Sequence, residues 1–410
     1  MNEAKMKILY ISYHGLTEPL GQSTVLPYLL SLSQAQMEVY LLSFEKTKDK
    51  KIIEETKNIL TRQNISWIQL FYHKKPLIIS TLLDMTLGVF KAIWTIKKEK
   101  INIVHAQGDI PAFITLPLKI LFNVKFIFDA DGFWALERKE IKIWKNHLYL
   151  YKAVSFLEKC VYRHIDILIV LTNKAKEIVA GPEYLNGRKI PILLKRTCVN
   201  TDHFYPQDQA VLKKTHQLEN KIILIYVGSI GTWYMLDEML EFFKIFKQQH
   251  SQSLFIILTS EENISSLKDK IQSLNLDLSD FKIASVTHGQ VPQWINLADI
   301  GIYFITPIAS KQGSSPTKLG EMLACGKPII TNRGIGDCDE ILEEKKTAVF
   351  VESFEKESYL KAAQEISNLI KETDIKERCL QTAQKHLDIK NAQLVYQKIY
   401  QLIKNHNQAN

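Results

Sequence analysis

Cysteine is scarce in this 410-residue chain: Cys160, Cys198, Cys325, Cys338 and Cys379 are the five present. Their number is odd and no two are spaced as C-x-x-C. They read as reduced thiols of a cytosolic protein, not as a disulfide framework or a metal site. Glycine (16) and proline (12) are too few for a collagen-like or low-complexity chain. The first residues, MNEAKMKILYIS, lack a signal-peptide profile, and their apolar run is expected to be a short strand. The stretch from Pro76 to Ile96 is about as long as a bilayer crossing. Asp84 and Lys91 would lie inside it at high cost, so a buried core helix preceding a strand is expected. No G-x-G-x-x-G follows a strand, and no Asp or Glu ends the second strand suitably for a nicotinamide ribose. Charge is not strongly one-sided either: 52 Lys and Arg against 44 Asp and Glu leave +8. The basic residues are spread along the chain with no nucleic-acid-reading motif, so no nucleic-acid partner is expected. They fit a solvated surface, or one that meets anionic lipid or anionic substrates.

What is present is a series of continuous Val/Ile/Leu/Phe runs separated by helical stretches. In the first half these runs are 6–12, 39–44, 66–71, 101–106, 125–129, 167–171 and 190–194. The polar stretch 200–220, with Pro206, lacks core periodicity and is the expected domain boundary. A second series follows at 221–227, 254–259, 281–286, 300–305, 328–331 and 348–351. The chain from Glu355 onward is helical and charged. Uninterrupted apolar strands alternating with helices indicate parallel sheets covered on both faces, hence an α/β protein. Two doubly wound domains facing across a cleft would take ligands at the carboxyl ends of their strands.

The most informative segment is GSSPTKLGEMLACGKPII, residues 313–330. Ser315 is placed as a helix N-cap, Pro316 as the first helical residue, and Gly326 as the stop. Backbone N–H groups of Gly313, Ser314 and Ser315 would then sit at a positive helix terminus suited to phosphate. Lys318 and Glu321 are three apart on one face. A cation can reach a diphosphate there while a carboxylate one turn on accepts from a ribose diol. The alternative is a surface ion pair.

This segment resembles the nucleotide-sugar signature of retaining GT-B glycosyltransferases of the large family 4 group. There a helix carries a ribose-binding Glu followed by A-x-G-x-P-[VI]-[IV]; here these are Glu321 and Ala324 to Ile330. The resemblance covers nearly the whole chain. It implies the GT-B fold: two Rossmann-like domains, 1–205 for the acceptor and 206–385 for the nucleotide sugar, with 386–410 a helix crossing back to the first. It also implies a nucleoside-diphosphate sugar as donor, a glycan or lipid-linked glycan as acceptor, and no metal. One position departs: the family usually has a second Glu eight residues before the first, where this chain has Gly313. Sugar hydroxyls and phosphate would then meet backbone N–H groups of 313–315 instead. The donor set implied is Gly21, Gly228, Ser229, Val286, His288, Gly313, Ser314, Ser315, Thr317, Lys318, Leu319 and Glu321.

Other segments fall into place beside it. The loop 13–23, with His14, Gly15 and Gly21, matches the family's glycine-containing loop, though a plain turn is the alternative. F-D-A-D-G-F-W-A-L-E-R, 128–138, resembles a family stretch in which other members carry a His where Asp131 stands. Asp131 would hold acceptor or sugar hydroxyls, or simply occupy a turn. Its D-x-D pattern with Asp129 binds a divalent ion in a different glycosyltransferase fold; here it lies far in sequence from the signature. His105 ends a strand at the acceptor side, or is a satisfied loop histidine. Arg196, after Lys195, would face the donor phosphates or serve a hinge. The turn at Gly228 has no Lys or Arg after it until Lys244, which leaves the phosphate charge to Lys318, Arg196 and backbone dipoles. The catalytic candidates are therefore Lys318, Asp131 and Arg196, with His14, His105 and Asp131 on the acceptor side. The basic, aromatic stretch 139–159, with Trp144, would rest on an anionic leaflet or be an ordinary surface helix. A cytoplasmic enzyme of surface-glycan assembly, peripheral at the inner face of the membrane, is the expectation. A nucleotide-sugar 2-epimerase would show extra carboxylates and histidines around the sugar, and a nicotinamide oxidoreductase lacks its glycines. A non-catalytic partner subunit remains the alternative from another class, motivated by Gly313 and Asp131.

Overall fold

The computed structural model describes residues 6–34, 37–142 and 148–408. The chain forms two compact units: Met1–Arg196 with Ile389–Asn410, and Thr197–Asp388. The first holds a seven-stranded parallel sheet of β1 (Lys7–Ser12), β2 (Glu38–Glu45), β3 (Ile65–Phe71), β4 (Ile103–Gln107), β5 (Lys125–Asp129), β6 (Ile167–Val170) and β7 (Ile192–Leu194). Its order is β3-β2-β1-β4-β5-β6-β7. The second holds β8 (Ile222–Val227), β9 (Ser253–Leu258), β10 (Phe281–Ala284), β11 (Ile300–Ile302), β12 (Ile329–Asn332) and β13 (Ala348–Val351), in the order β10-β9-β8-β11-β12-β13. Each apolar run of the sequence is a strand; the central ones are buried on both faces, which leaves no room for alternation, while the edge strands β3, β10 and β13 are partly exposed. Ile223, Leu224, Ile225 and Tyr226 in β8 are all wholly buried. In each unit the strand order reverses beside its first strand, between β1 and β4 and between β8 and β11. The crevice beyond the carboxyl ends at that reversal is where open α/β sheets bind ligands.

The helix Ile389–Gln408 belongs to the first unit and completes its polar interior. Tyr396 Oη donates to Asp129 Oδ2 at 2.8 Å, and Lys195 Nζ donates to the same oxygen and to Tyr396 Oη at 3.2 Å. His105 Nδ1 lies 2.9 Å from Tyr400 Oη. Burial alone would raise the pKa of Asp129, but Lys195 and His105 outweigh it and bring it down to about 2.

Two expectations need correction. The helix Leu77–Glu99 is not a buried core helix: Ala92 and Ile96 are buried, yet Ile79, Leu82, Phe90 and Trp94 lie on its open side. It is apolar nearly all round, so composition could not tell its covered face from its bare one. The stretch 139–159 is not one helix: it is divided between the end of Trp134–Glu140 and the start of Leu148–His164. Trp144 falls outside the described residues.

Removing one member of a buried ion pair strands the other in low dielectric. Asp129→Ala should therefore lower the stability of the first unit by about 3–5 kcal/mol. Because the folded pKa of Asp129 lies below its unfolded value, its contribution is full above the ordinary carboxylate range and is lost as pH falls toward 2. Thermal melts of wild type and variant at pH 7 check the first point, and wild-type melts down to pH 3 check the direction of the second.

Candidate functional site

In the second unit the chain leaves β8 and turns at Gly228, whose φ of +136° suits glycine. A Cβ there would sit 3.0 Å from Lys318 Nζ. The Gly228 N–H is held by the Leu258 carbonyl at 2.9 Å. The loop is then laced to the segment after β11: Met235 N–H donates to Phe304 O at 3.0 Å, and Thr306 N–H to Trp233 O at 2.9 Å. Both loops thus stand at the strand-order reversal, and the signature helix, Thr317–Ala324, begins beside them.

That helix starts one residue later than expected. Pro316 holds the cap position, and Ser315 Oγ instead accepts from the Thr197 N–H at 3.2 Å. Gly326 does end it, at φ +74°. Not every expected backbone donor is available: Ser314 N–H is spent on Lys311 O at 3.1 Å, and Leu319 N–H on Pro316 O at 3.2 Å. Leu319 is moreover a core side chain. A helix start leaves its first N–H groups without intrahelical partners, here those of Thr317 and Lys318. The Ser229 carbonyl accepts from Tyr226 Oη.

Lys318 and Glu321 are not a surface ion pair: they are only 6% and 8% exposed. Lys318 Nζ donates to Tyr226 Oη at 3.0 Å. It lies 3.7 Å from the ring centre of Tyr234 and 4.1 Å from that of Tyr226. Burial lowers the pKa of Lys318 to about 7 against the pull of Glu321. Burial raises that of Glu321 to about 7 against the pull of Lys318. Ring faces partly repay the desolvation of an ammonium but supply no counter-charge. The pair is poised to respond to an arriving anion. Val286 and His288 lie beyond β10, two strand positions or about 10 Å from β8. The His288 ring is 5.5 Å from those of His203 and Phe204, and burial together with His203 lowers its pKa.

The first unit has its own cluster at the β1/β4 reversal. The loop after β1 is pinned by Glu45, whose carboxylate accepts from Leu16 N–H (3.0 Å), Thr17 N–H (3.2 Å), Thr17 Oγ1 (2.7 Å) and Ser43 Oγ (2.6 Å). A carboxylate therefore does end the second strand, but the loop occupies it, so it is not placed for a nicotinamide ribose. Gly21 lies in the short helix Pro19–Thr24, where a Cβ would meet the Gly15 carbonyl oxygen at 1.9 Å. His14 is half-buried in the loop, its pKa lowered by burial and by Lys46. Asp131 follows β5 with surface exposed, and its carboxylate lies against Gly108. Surrounding protein and the Asp129 charge raise its pKa to about 7, opposed by Lys195. His105 is corrected: it lies within β4, wholly buried against Tyr10, Tyr396 and Tyr400, and not at an acceptor edge. Burial lowers its pKa, against the pull of Asp129. Arg196 is half-buried just after β7. Among the described residues, no three His, Cys, Asp or Glu side chains gather as a metal site would need.

Comparison with known proteins shows what the chain resembles. Residues 208–386 match the family described as Glycosyl transferases group 1. The match spans nearly the whole of the second unit. The whole chain superposes on proteins of the same two-domain GT-B fold. Sucrose-phosphate synthase from Thermosynechococcus elongatus gives a TM-score of 0.77 at 15% identity, over 98% of this chain and 100% of that one. Anabaena HepE, solved in complexes with UDP and with UDP-glucose, gives in its UDP complex 0.70 at 14% identity, over 98% and 100%. WaaG, a glycosyltransferase involved in lipopolysaccharide biosynthesis, gives 0.63 at 13% identity, over 92% and 94%. No curated protein matches the chain.

The second unit holds one charged group that the sequence reading missed. Lys311 is 4% exposed, with Nζ 3.7 Å from the ring centre of Trp233. Trp233 neighbours Tyr234, their centroids 6.3 Å apart, so each of two buried lysines covers one ring of an adjacent pair. The turn after Gly228 receives from Lys311 the basic neighbour its own sequence lacks. Only the position of Lys311, two residues before Gly313, could have signalled it.

The packing at Gly21 gives a direct check. Gly21→Ala should destabilise the first unit by about 1–3 kcal/mol through overpacking against backbone. Gly289→Ala, with nothing within 4 Å of the added carbon, should be near neutral. Urea melts of the two variants compare them.

Proposed function

We propose that the chain transfers a sugar from a nucleoside-diphosphate sugar to a saccharide or lipid-linked acceptor, with retention and without a metal. The proposed setting is bacterial surface-glycan assembly in the cytoplasm, at the inner face of the membrane. The observation that carries the reading is a buried Lys318 beside a side-chain-free turn at Gly228, with Glu321 one helical turn on. Lys318, the helix start and the Gly228–Ser229 turn would receive the diphosphate; Glu321 would accept from the ribose diol; the base would lie toward Val286 and His288. UDP is the first nucleotide to test, because HepE binds it. The biosynthetic role printed for WaaG supports the surface-glycan setting. Engagement of Asp129, the first carboxylate of the D-x-D run, by Lys195 and Tyr396 supports metal-independent chemistry.

In the reaction the bond from the anomeric carbon to the phosphate oxygen breaks and a bond to the acceptor oxygen forms on the same face. The leaving phosphate takes the acceptor's proton. Charge grows on the diphosphate as it departs, and Lys318 with the helix N–H groups is fixed in advance to meet it. A phosphate beside Lys318 raises its pKa, so binding completes the ammonium that catalysis needs. Asp131 and His14, at the first unit's own reversal, are proposed for acceptor hydroxyls. Gly313 and Asp131, which stand where many relatives have Glu and His, favour a second reading as a non-catalytic binding subunit. Turnover of any donor removes it.

Thermal-shift titration with UDP, GDP, ADP, CMP and dTDP tests the site. At a hundredfold excess over Kd one nucleotide should stabilise the native state by about 2.7 kcal/mol. Glu321→Ala and Lys318→Met should each lose at least about tenfold in affinity, equal to about 1.4 kcal/mol. Affinity should also peak near pH 7. Above it Lys318 loses the proton that attracts phosphate; below it Glu321 gains one and accepts less well. Calorimetric affinities that stay flat from pH 6 to 9 would sink both roles.

A further inference from the structure

The bare side of the helix Leu77–Glu99 is not explained by glycosyl transfer. Ile79 and Phe90 are 66% and 67% exposed, and Leu82, Leu83, Leu87 and Trp94 share their face. From Ile78 to Trp94 the stripe runs about 24 Å at 1.5 Å per residue. Ile120 and Leu121, at the end of the neighbouring helix Asp109–Phe122, are exposed as well. Monomeric proteins rarely leave an apolar patch of this extent open without a use. We infer that this face is a membrane-docking surface that lies in the interfacial layer of an anionic leaflet, parallel to it.

The charges around the stripe argue for lipid. Lys74 and Lys75 precede it, Lys97 and Lys98 follow it, and all four are exposed. The helix has two acids, and neither lies on the stripe: Asp84 is wholly buried, and Glu99, part-exposed at the helix end, accepts from Tyr40 Oη at 3.0 Å and lies 3.3 Å from Lys98 Nζ. Trp94 stands at the basic end with Lys91 and Lys98 at 4.4 and 4.9 Å from its ring, an amphipathic ring at headgroup depth. An apolar face with predominantly cationic ends and no acid along it is the pattern of a helix that lies on a membrane.

Two other uses of the helix fit less well. Its length and composition would allow a span. However, Asp84 accepts from Tyr13 Oη at 2.8 Å and from His73 N–H at 3.2 Å, tying the middle of the helix to the first unit. A second copy of the chain would be a poor partner. Both ends are basic, so two such stripes laid together in either direction set lysines against lysines.

The inference deepens the proposed function by giving its membrane contact a surface, and it rests on that placement. The full chain is sedimented with vesicles of phosphatidylcholine alone and of a two-to-one mixture with phosphatidylglycerol. Wild type should bind the mixed vesicles at least about tenfold better. Leu82→Ser/Phe90→Ser should lose at least about tenfold of that binding. Lys97→Glu/Lys98→Glu should lose most of the preference for the anionic mixture. A blue shift of fluorescence on binding, absent in Trp94→Phe, should report insertion. Each variant is first shown to keep the wild-type melting midpoint and nucleotide-induced shift. No vesicle binding by wild type, or equal binding by Leu82→Ser/Phe90→Ser, would overturn the inference. So would a wild-type dimer that this variant makes monomeric without changing vesicle binding. Vesicle binding without any nucleotide response would instead leave the surface standing and remove the transferase reading.

Discussion

The second unit depends on keeping one ammonium group out of water. Desolvating such an ion costs several kcal/mol even after relaxation, and ring faces and a phenol hydroxyl return only part of it. Lys318 accordingly holds its proton weakly, and Glu321 holds its own too well. The surrounding architecture serves that arrangement. The strand order opens a crevice at the end of β8, Gly228 offers it no side chain, and the helix start adds a positive dipole where Lys318 already stands. A site built so is incomplete by itself and is completed by an anion.

Much of this was legible in the residues because of one physical rule. Strands covered on both faces must be apolar throughout, so the central ones stood out as unbroken runs, and the paired α/β series followed. The signature helix was legible because its stop needs glycine and its polar pair keeps helical spacing. The failures share a cause as well: each turned on what a side chain meets across the fold. His105 was placed at a strand end when β4 runs on to Gln107, which buries it under Tyr400. Glu45 was passed over by a strand drawn one residue short. Lys311 looks like any surface lysine until Trp233, far away in sequence, comes to lie beneath it.

The two units solve the same problem with opposite means. At the first reversal the ordering group is an anion: Glu45 gathers the N–H groups of the loop after β1 and leaves it a fixed shape. At the second, buried cations stand beside the loop after β8. A sugar nucleotide brings its own negative charge and suits the second. Neutral hydroxyls suit the first, where Asp131 keeps surface exposed beside a loop that is already satisfied.

The helix Ile389–Gln408 has a consequence in time. It is made after the whole second unit, yet Tyr396 and Tyr400 supply the hydroxyls that Asp129, Lys195 and His105 meet in the interior of the first unit. During synthesis that unit has every strand early and waits, with buried polar groups unmet, while some two hundred further residues emerge. The second unit is continuous, so it can close before the first is finished. A chain cut short before residue 389 would lack the part that completes its beginning.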